Sequence, residues 1–167
     1  MFNKEGEKHM AFQRTLIFLK PDAVERGLIG RIVTRFEEKG FKIAGMKMLQ
    51  MSEDFAREHY AVHEGKDFYE PLVRYVTSGP LVAMVIEGKN AIRVVRNIMG
   101  ETFGSDSPPG TIRGDFALSN RYNLIHGSDS EQSAREEIDR FFEPSELVSY
   151  PSESVEWIYD MNGPSPV

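Results

Sequence analysis

The sequence contains no cysteine in 167 residues. That excludes disulfide scaffolds, thiolate metal centres and thiol nucleophiles together, and it suits a reducing compartment. Long apolar runs are missing too. The longest, Leu81–Ile86, has six residues, far short of the ~18 that a membrane span needs. The glycine-rich loops of many nucleotide sites are also lacking: there is no GxxxxGK[ST], no GxGxxG and no GxSxG elbow. His126 follows Ile125 rather than arginine, which argues against the Arg-His-Gly phosphatases. Basic charge is in deficit, with 20 basic residues against 26 acidic and a net charge of −6. A chain of that balance is a poor general binder of nucleic acid. What remains is the composition of one globular domain, with 40% apolar residues and enough length to bury a core.

Residues 1–12 are polar and read as an N-terminal extension or tag remnant, and residues 161–167 as a flexible tail. The domain lies between them, over residues 13–160. Thr15–Lys20 is a short apolar run stopped by Pro21 and reads as a buried strand. Apolar residues at 28, 29, 32, 33 and 36 fit a helix that Gly40 ends. Phe41–Met51 reads as a strand, and Ser52 caps a helix running to His59 or Ala61. Residues 68–76 have helical spacing, Ser78-Gly79-Pro80 is a turn, and Leu81–Ile86 is a central strand. Asn90 caps a helix over Ala91–Met99 that Gly100 closes. Residues 101–113 form a long irregular segment of the kind that often carries function. Phe116–Leu118 is a candidate strand, and Ser130–Phe142 a helix. The order is that of a ferredoxin-like βαββαβ unit of the α+β class: a four-stranded antiparallel sheet, flanked by helices on one face.

Chemistry concentrates in Asn123–Ser130, where a histidine precedes glycine and a polar cluster opening a helix. Helix N-termini suit anions. A histidine there serves as base, metal ligand or nucleophile, or makes only a local hydrogen bond beside the cap. Lys20 ends a strand at the sheet edge. Arg96, Thr102 and the glycine-flanked Arg113 join it as a set able to clamp a polyphosphate, because guanidinium groups match phosphate oxygens. Taken singly, Lys20 reads as an ordinary strand-end lysine and each arginine as a surface salt bridge. His59 and His63 stand i,i+4, but two ligands are not a metal site.

These residues also carry a resemblance. Asn123-Leu-Ile-His-Gly-Ser-Asp-Ser130 resembles the active-site signature of nucleoside diphosphate kinases. Phe18-Leu-Lys-Pro-Asp22, Arg26–Gly30, Glu58-His-Tyr60, Ser78-Gly-Pro80, Gly100-Glu-Thr102, Pro109–Asp115 and Trp157-Ile-Tyr159 follow the family's order from Thr15 to Tyr159. The resemblance implies ping-pong exchange of the γ-phosphate between nucleoside triphosphates and diphosphates through a phosphohistidine at His126. It assigns Lys20 to the transferring phosphoryl group and Tyr60 to its support. Ser128 and Glu137 would support the histidine. Arg96, Thr102 and Arg113 would hold phosphates and Asn123 the ribose. Phe68 would stack on the base, with Leu72 at the slot's other edge. Mg2+ would be held mainly by the nucleotide, with no direct protein ligand. The resemblance further implies a cytoplasmic homo-hexamer acting on ATP/ADP, GTP/GDP and related nucleotides, without a membrane or nucleic-acid role.

Two positions depart from the family pattern. Gly104 stands where many relatives carry proline, and should loosen the long loop or the assembly it serves. Tyr122 replaces an often polar residue before Asn123.

Overall fold

The computed structural model describes residues 12–151 and 155–160. Its elements are β1 (Phe12–Leu19), α1 (Pro21–Glu25), α2 (Ile29–Glu38), β2 (Lys42–Gln50), α3 (Glu53–His59), α4 (Tyr69–Val76), β3 (Pro80–Lys89), α5 (Ala91–Met99), α6 (Ile112–Phe116), β4 (Ile125–Gly127), α7 (Glu131–Phe141) and α8 (Val155–Ile158). The four strands form one sheet in the order β2-β3-β1-β4. All three pairings are antiparallel, as the ferredoxin-like α+β arrangement requires. Phe12, read from sequence as part of the extension, already pairs with Lys89. The rest of that extension and residues 161–167 of the tail lie outside the described residues.

Helices cover both faces of the sheet, not one. Leu16, Ile17, Phe18 and Leu19 are all fully buried. Ile17 and Leu19 pack with Ile32, Phe36, Val95 and Met99 of α2 and α5. Leu16 and Phe18 pack with Ala56, Val73, Val76, Ile138 and Phe141 of α3, α4 and α7. A strand buried on both faces has no polar alternation to display, which is why β1 and β3 appear in the sequence as unbroken apolar runs. Each fully buried Leu, Ile or Phe contributes about 1.5–3 kcal/mol by leaving water.

Gly40 and Gly100 end their helices at φ of 93° and 86°, a conformation glycine adopts without a Cβ penalty. Ser52 caps α3 by accepting from the Phe55 N–H at 3.2 Å. Asn90 stands at the start of α5, but at φ 51° its side chain makes no cap bond. The expected strand at Phe116–Leu118 is absent. Phe116 ends α6, and Leu118 is 93% exposed. The fourth strand is Ile125–Gly127, and it pairs with Ile17–Leu19. His126 therefore sits in the sheet, opposite Phe18, rather than at the N-terminus of a helix.

Gly104 does not loosen its loop. It is buried in a short 3₁₀ turn, Gly104–Asp106. A Cβ there would stand 2.5 Å from the Ala117 carbonyl oxygen. The absent side chain lets two backbone segments touch.

Candidate active site

His126 projects from β4 on the face where Phe18 also points. Its ring stacks on Phe18 with centroids 4.7 Å apart. Its Nε2 lies 3.0 Å from Glu137 Oε2, and Ser128 Oγ donates to the same oxygen at 2.7 Å. α7 holds Glu137 in place: Ser130 caps that helix through a reciprocal box with Ser133, worth about 1 kcal/mol. The bonds from His126 and Ser128 hold the Glu137 carboxyl below its ordinary range, against the upward push of burial. An ionised carboxylate only accepts, so Nε2 is the nitrogen that donates to Glu137. In the neutral ring Nδ1 then carries the free lone pair.

A second network lies where β1 ends. Lys20 Nζ donates to Asn123 Oδ1 at 2.6 Å, and Asn123 Nδ2 donates to the Thr102 carbonyl at 2.9 Å. Lys20 is buried, with no carboxylate bonded to it among the described residues. Burial first, and Arg113 second, push its pKa down to about 7, while Asp22 pulls the other way. Asp22 itself accepts from the Tyr75 hydroxyl and from the Leu124 N–H.

Leu124 links the two networks. It is fully buried at φ 69°, uncommon for a bulky residue. The Ile125 N–H donates to the Asn123 carbonyl at 2.8 Å, closing the rare, strained form of γ-turn. Arg113 holds this turn from both sides. Its Nε donates to the Asn123 carbonyl at 3.1 Å and its Nη2 to the Ile125 carbonyl at 2.6 Å. Nη1 reaches the Gly100 and Glu101 carbonyls at 3.0 and 3.1 Å. Four bonds to the main chain leave one of five guanidinium N–H groups for anything else. Burial, with Arg96 nearby, lowers the Arg113 pKa to about 10.

The remaining candidates fall around these networks. Arg96 is exposed on α5 and donates to the Gly127 carbonyl beside His126 at 3.3 Å. Thr102 is exposed where the loop begins. Tyr60 is buried beside His126, and its hydroxyl has no hydrogen-bond partner among the described residues. Burial raises its pKa. Phe68 is 48% exposed and meets His63 edge-on at 5.3 Å. His63 in turn stacks on Tyr60 at 6.3 Å, so a row of rings runs from Phe68 toward His126. Leu72 packs half-buried against the neighbouring core. His63 does not join His59 in a metal pair. Its Nδ1 is 3.2 Å from Lys66 Nζ instead.

Sequence reasoning gave no task to Asp22, Tyr75, Leu124 or His59. Asp22 was signalled by its place in Lys20-Pro-Asp22. Nothing in the sequence marked the conformation of Leu124.

The geometry suits phosphoryl transfer in class: Arg96 bonds the carbonyl beside His126, and Lys20 is buried with no carboxylate bonded to it among the described residues. Comparison with known proteins gives the family. The nucleoside diphosphate kinase model matches residues 13–147. A nucleoside diphosphate kinase of Roseiflexus sp. (strain RS-1) is 53% identical over 148 residues, 89% of this chain and 99% of that protein. Human nucleoside diphosphate kinase A is 51% identical, over 89% of this chain and 97% of its own. The solved structure of a halophilic nucleoside diphosphate kinase from Halobacterium salinarum in complex with CDP superposes with a TM-score of 0.88. It is 49% identical over 89% of this chain and 99% of that one. The chain belongs to the nucleoside diphosphate kinase family, whose members transfer the terminal phosphate of a nucleoside triphosphate to a nucleoside diphosphate by ping-pong. That phosphotransferase activity is the activity of this protein. Among the described residues no helix is long and apolar enough to cross a membrane.

Proposed function

We propose that His126 is the nucleophile and that Nδ1 is its reacting atom. The observation that carries this is the 3.0 Å contact between Nε2 and Glu137, itself bonded by Ser128. In the first half-reaction the Nδ1 lone pair attacks the γ-phosphorus. The bond from phosphorus to the bridging oxygen breaks, and the diphosphate leaves with that electron pair. In the second, a β-phosphate oxygen of another diphosphate attacks the same phosphorus, and the P–N bond breaks. One set of phosphate contacts then serves both halves. Glu137 stabilises the imidazolium character that develops as Nδ1 bonds to phosphorus.

Lys20 and the Tyr60 hydroxyl are the groups that meet the transferring phosphoryl group. Arg96 and Thr102 hold the flanking phosphates. Arg113 offers its one remaining N–H to them and spends the others on the Leu124 turn. Asn123 orients Lys20 while presenting its amide to the ribose. Phe68 and Leu72 take the base through apolar contact, which all common bases satisfy.

Magnesium fits as a companion of the nucleotide. It favours oxygen ligands and keeps several waters, whereas Glu137 and Asp22 are already engaged within the protein. When bound, it spreads the charge of the phosphate oxygens. We further propose a cytoplasmic homo-hexamer. Met46 and Met48, 46% and 58% exposed on the edge strand β2, are apolar surface that an assembly would cover.

The test is incubation with ATP and magnesium without acceptor, followed by intact-mass measurement at alkaline pH. One acid-labile phosphate should appear, and it should pass to added GDP as GTP. His126→Ala should lose it while still binding ADP. An adduct that persists in His126→Ala would overturn the assignment.

A further inference from the structure

His59 has no part in the reaction above, yet it is built into the site. Its side chain is more than nine-tenths buried, between Phe18, Phe141, Tyr60 and His126. Its Nδ1 is shielded from solvent and has no hydrogen-bond partner among the described residues. Burying a polar nitrogen without a partner costs free energy, so the position suits a ligand that supplies one. One ring nitrogen of His59, one of His126 and a carboxylate oxygen of Glu137 all lie within 4.8 Å of one another.

We propose that His59, His126 and Glu137 form an inhibitory binding site for a borderline transition-metal dication, with Zn2+ as its type. Two imidazoles and a carboxylate are the three-ligand set of open zinc sites, with water in the fourth position. Donor atoms around tetrahedral zinc, at bond lengths near 2.0–2.1 Å, stand roughly 3.3 Å apart. His126 Nε2 and Glu137 Oε2 are already at 3.0 Å. The His59 nitrogen lies within 4.8 Å of both, so closure needs its ring to move by at most about 1.5 Å to reach the tetrahedral donor spacing. Imidazole nitrogen also selects against magnesium, which prefers oxygen, so the magnesium that accompanies the nucleotide does not fill the site.

The consequence follows from the two ring nitrogens. His126 reaches the ion through Nε2, the nitrogen beside Glu137. Zinc bonded there takes the Nε2 lone pair, and the ring proton moves through solvent to Nδ1. The imidazole stays neutral, but Nδ1 no longer has a lone pair for phosphorus. Zinc therefore blocks phosphorylation of His126. The site shares His126 and Glu137 with the proposed mechanism, but direct metal binding is measured without turnover.

The experiment is calorimetric titration of the nucleotide-free protein with ZnCl2, paired with Co2+ absorption spectroscopy. One ion per chain is expected, with the intense visible bands of tetrahedral cobalt. His59→Gln, checked for folding by circular dichroism, should weaken binding by roughly tenfold or more and lose those bands. In the unaltered protein, 15N NMR of the histidine rings should show zinc on His126 Nε2 and the proton on Nδ1. That arm holds even if His59→Gln misfolds. With magnesium in excess, zinc should lower phosphohistidine formation in the unaltered protein and not in His59→Gln. No stoichiometric zinc binding, unchanged binding and spectrum in folded His59→Gln, or zinc on Nδ1 would each overturn the proposal. Loss of the zinc effect with the ATP adduct intact would leave the catalytic assignment standing.

Discussion

If Lys20 meets the phosphates as proposed, its buried amine should make nucleotide binding a proton-uptake reaction. With its pKa lowered to about 7, roughly nine-tenths of the side chain is neutral at pH 8 and half at pH 7. A bound diphosphate supplies the anionic partner the site lacks and returns the amine to its usual range. Binding of Mg-ADP at pH 8 should then take up about 0.9 proton per site. The nucleotide's own second phosphate ionisation, near pH 6, is complete at pH 8 and does not mask this. Apparent affinity should weaken by about tenfold per pH unit above 7, or about 1.4 kcal/mol per unit. The assay is calorimetry at pH 8 in two buffers of different ionisation enthalpy. Lys20→Arg keeps its charge at every accessible pH, so it should remove the uptake and flatten the slope. Equal heats in both buffers would refute the reasoning. The sign for stability is opposite. Because the folded pKa is the lower one, the unfolded chain binds more protons between pH 7 and 10. This group's contribution to folding stability therefore rises with pH across that window.

Three further outcomes are expected. Arg113→Lys keeps the charge but cannot reach four carbonyls. It should cost about 2 kcal/mol or more in chemical denaturation and lower kcat, whereas a pure phosphate clamp would keep its stability. Gly104→Ala should destabilise the fold by about 1–3 kcal/mol, since the new Cβ meets the Ala117 carbonyl at 2.5 Å; an unchanged denaturation midpoint would contradict that packing. Glu137→Gln lets an amide donate to Nε2 and favours the proton on Nδ1. Phosphohistidine formation, followed by quenched flow, should slow on the order of 10²-fold or more.

The legible parts of the fold were those where one physical signal dominates. β1 and β3 are buried on both faces and show it as apolar runs. α2 and α5 announce themselves by spacing and by a closing glycine. β4 was not legible, because three residues carry too little pattern and the strand exists only through its pairing with Ile17–Leu19. The five-residue α1 was hidden for the same reason, with Pro21 read as a stop when it occupies a first turn, where its missing N–H costs nothing. Within the site, the motif residues were legible through resemblance, including Lys20, His126 and Glu137. Their bonds were not. Arg113 looks like a phosphate ligand in sequence, and only the coordinates show its guanidinium spent on the main chain. Gly104 looks like a loss of stiffness until the Ala117 backbone is seen against it.

The turn at Leu124 explains why that expenditure is worthwhile. A leucine held at this positive φ costs roughly 1–3 kcal/mol, and it persists only where its surroundings fix it. Here Asp22 takes the Leu124 N–H, the Lys20 N–H takes its carbonyl, and Arg113 takes the carbonyls on either side. The turn sends the Asn123 side chain toward Lys20 and sets the β4 register that puts His126 opposite Phe18. Strain at one residue thus ties the cationic network to His126. The site carries a second cost: a buried lysine with no carboxylate bonded to it among the described residues, and Arg113 close enough to Lys20 to lower its pKa. Both are relieved by the same ligand. In the proposed mechanism a polyphosphate would satisfy the cations and lie against Nδ1, so binding energy would be drawn from groups that the fold leaves unsatisfied.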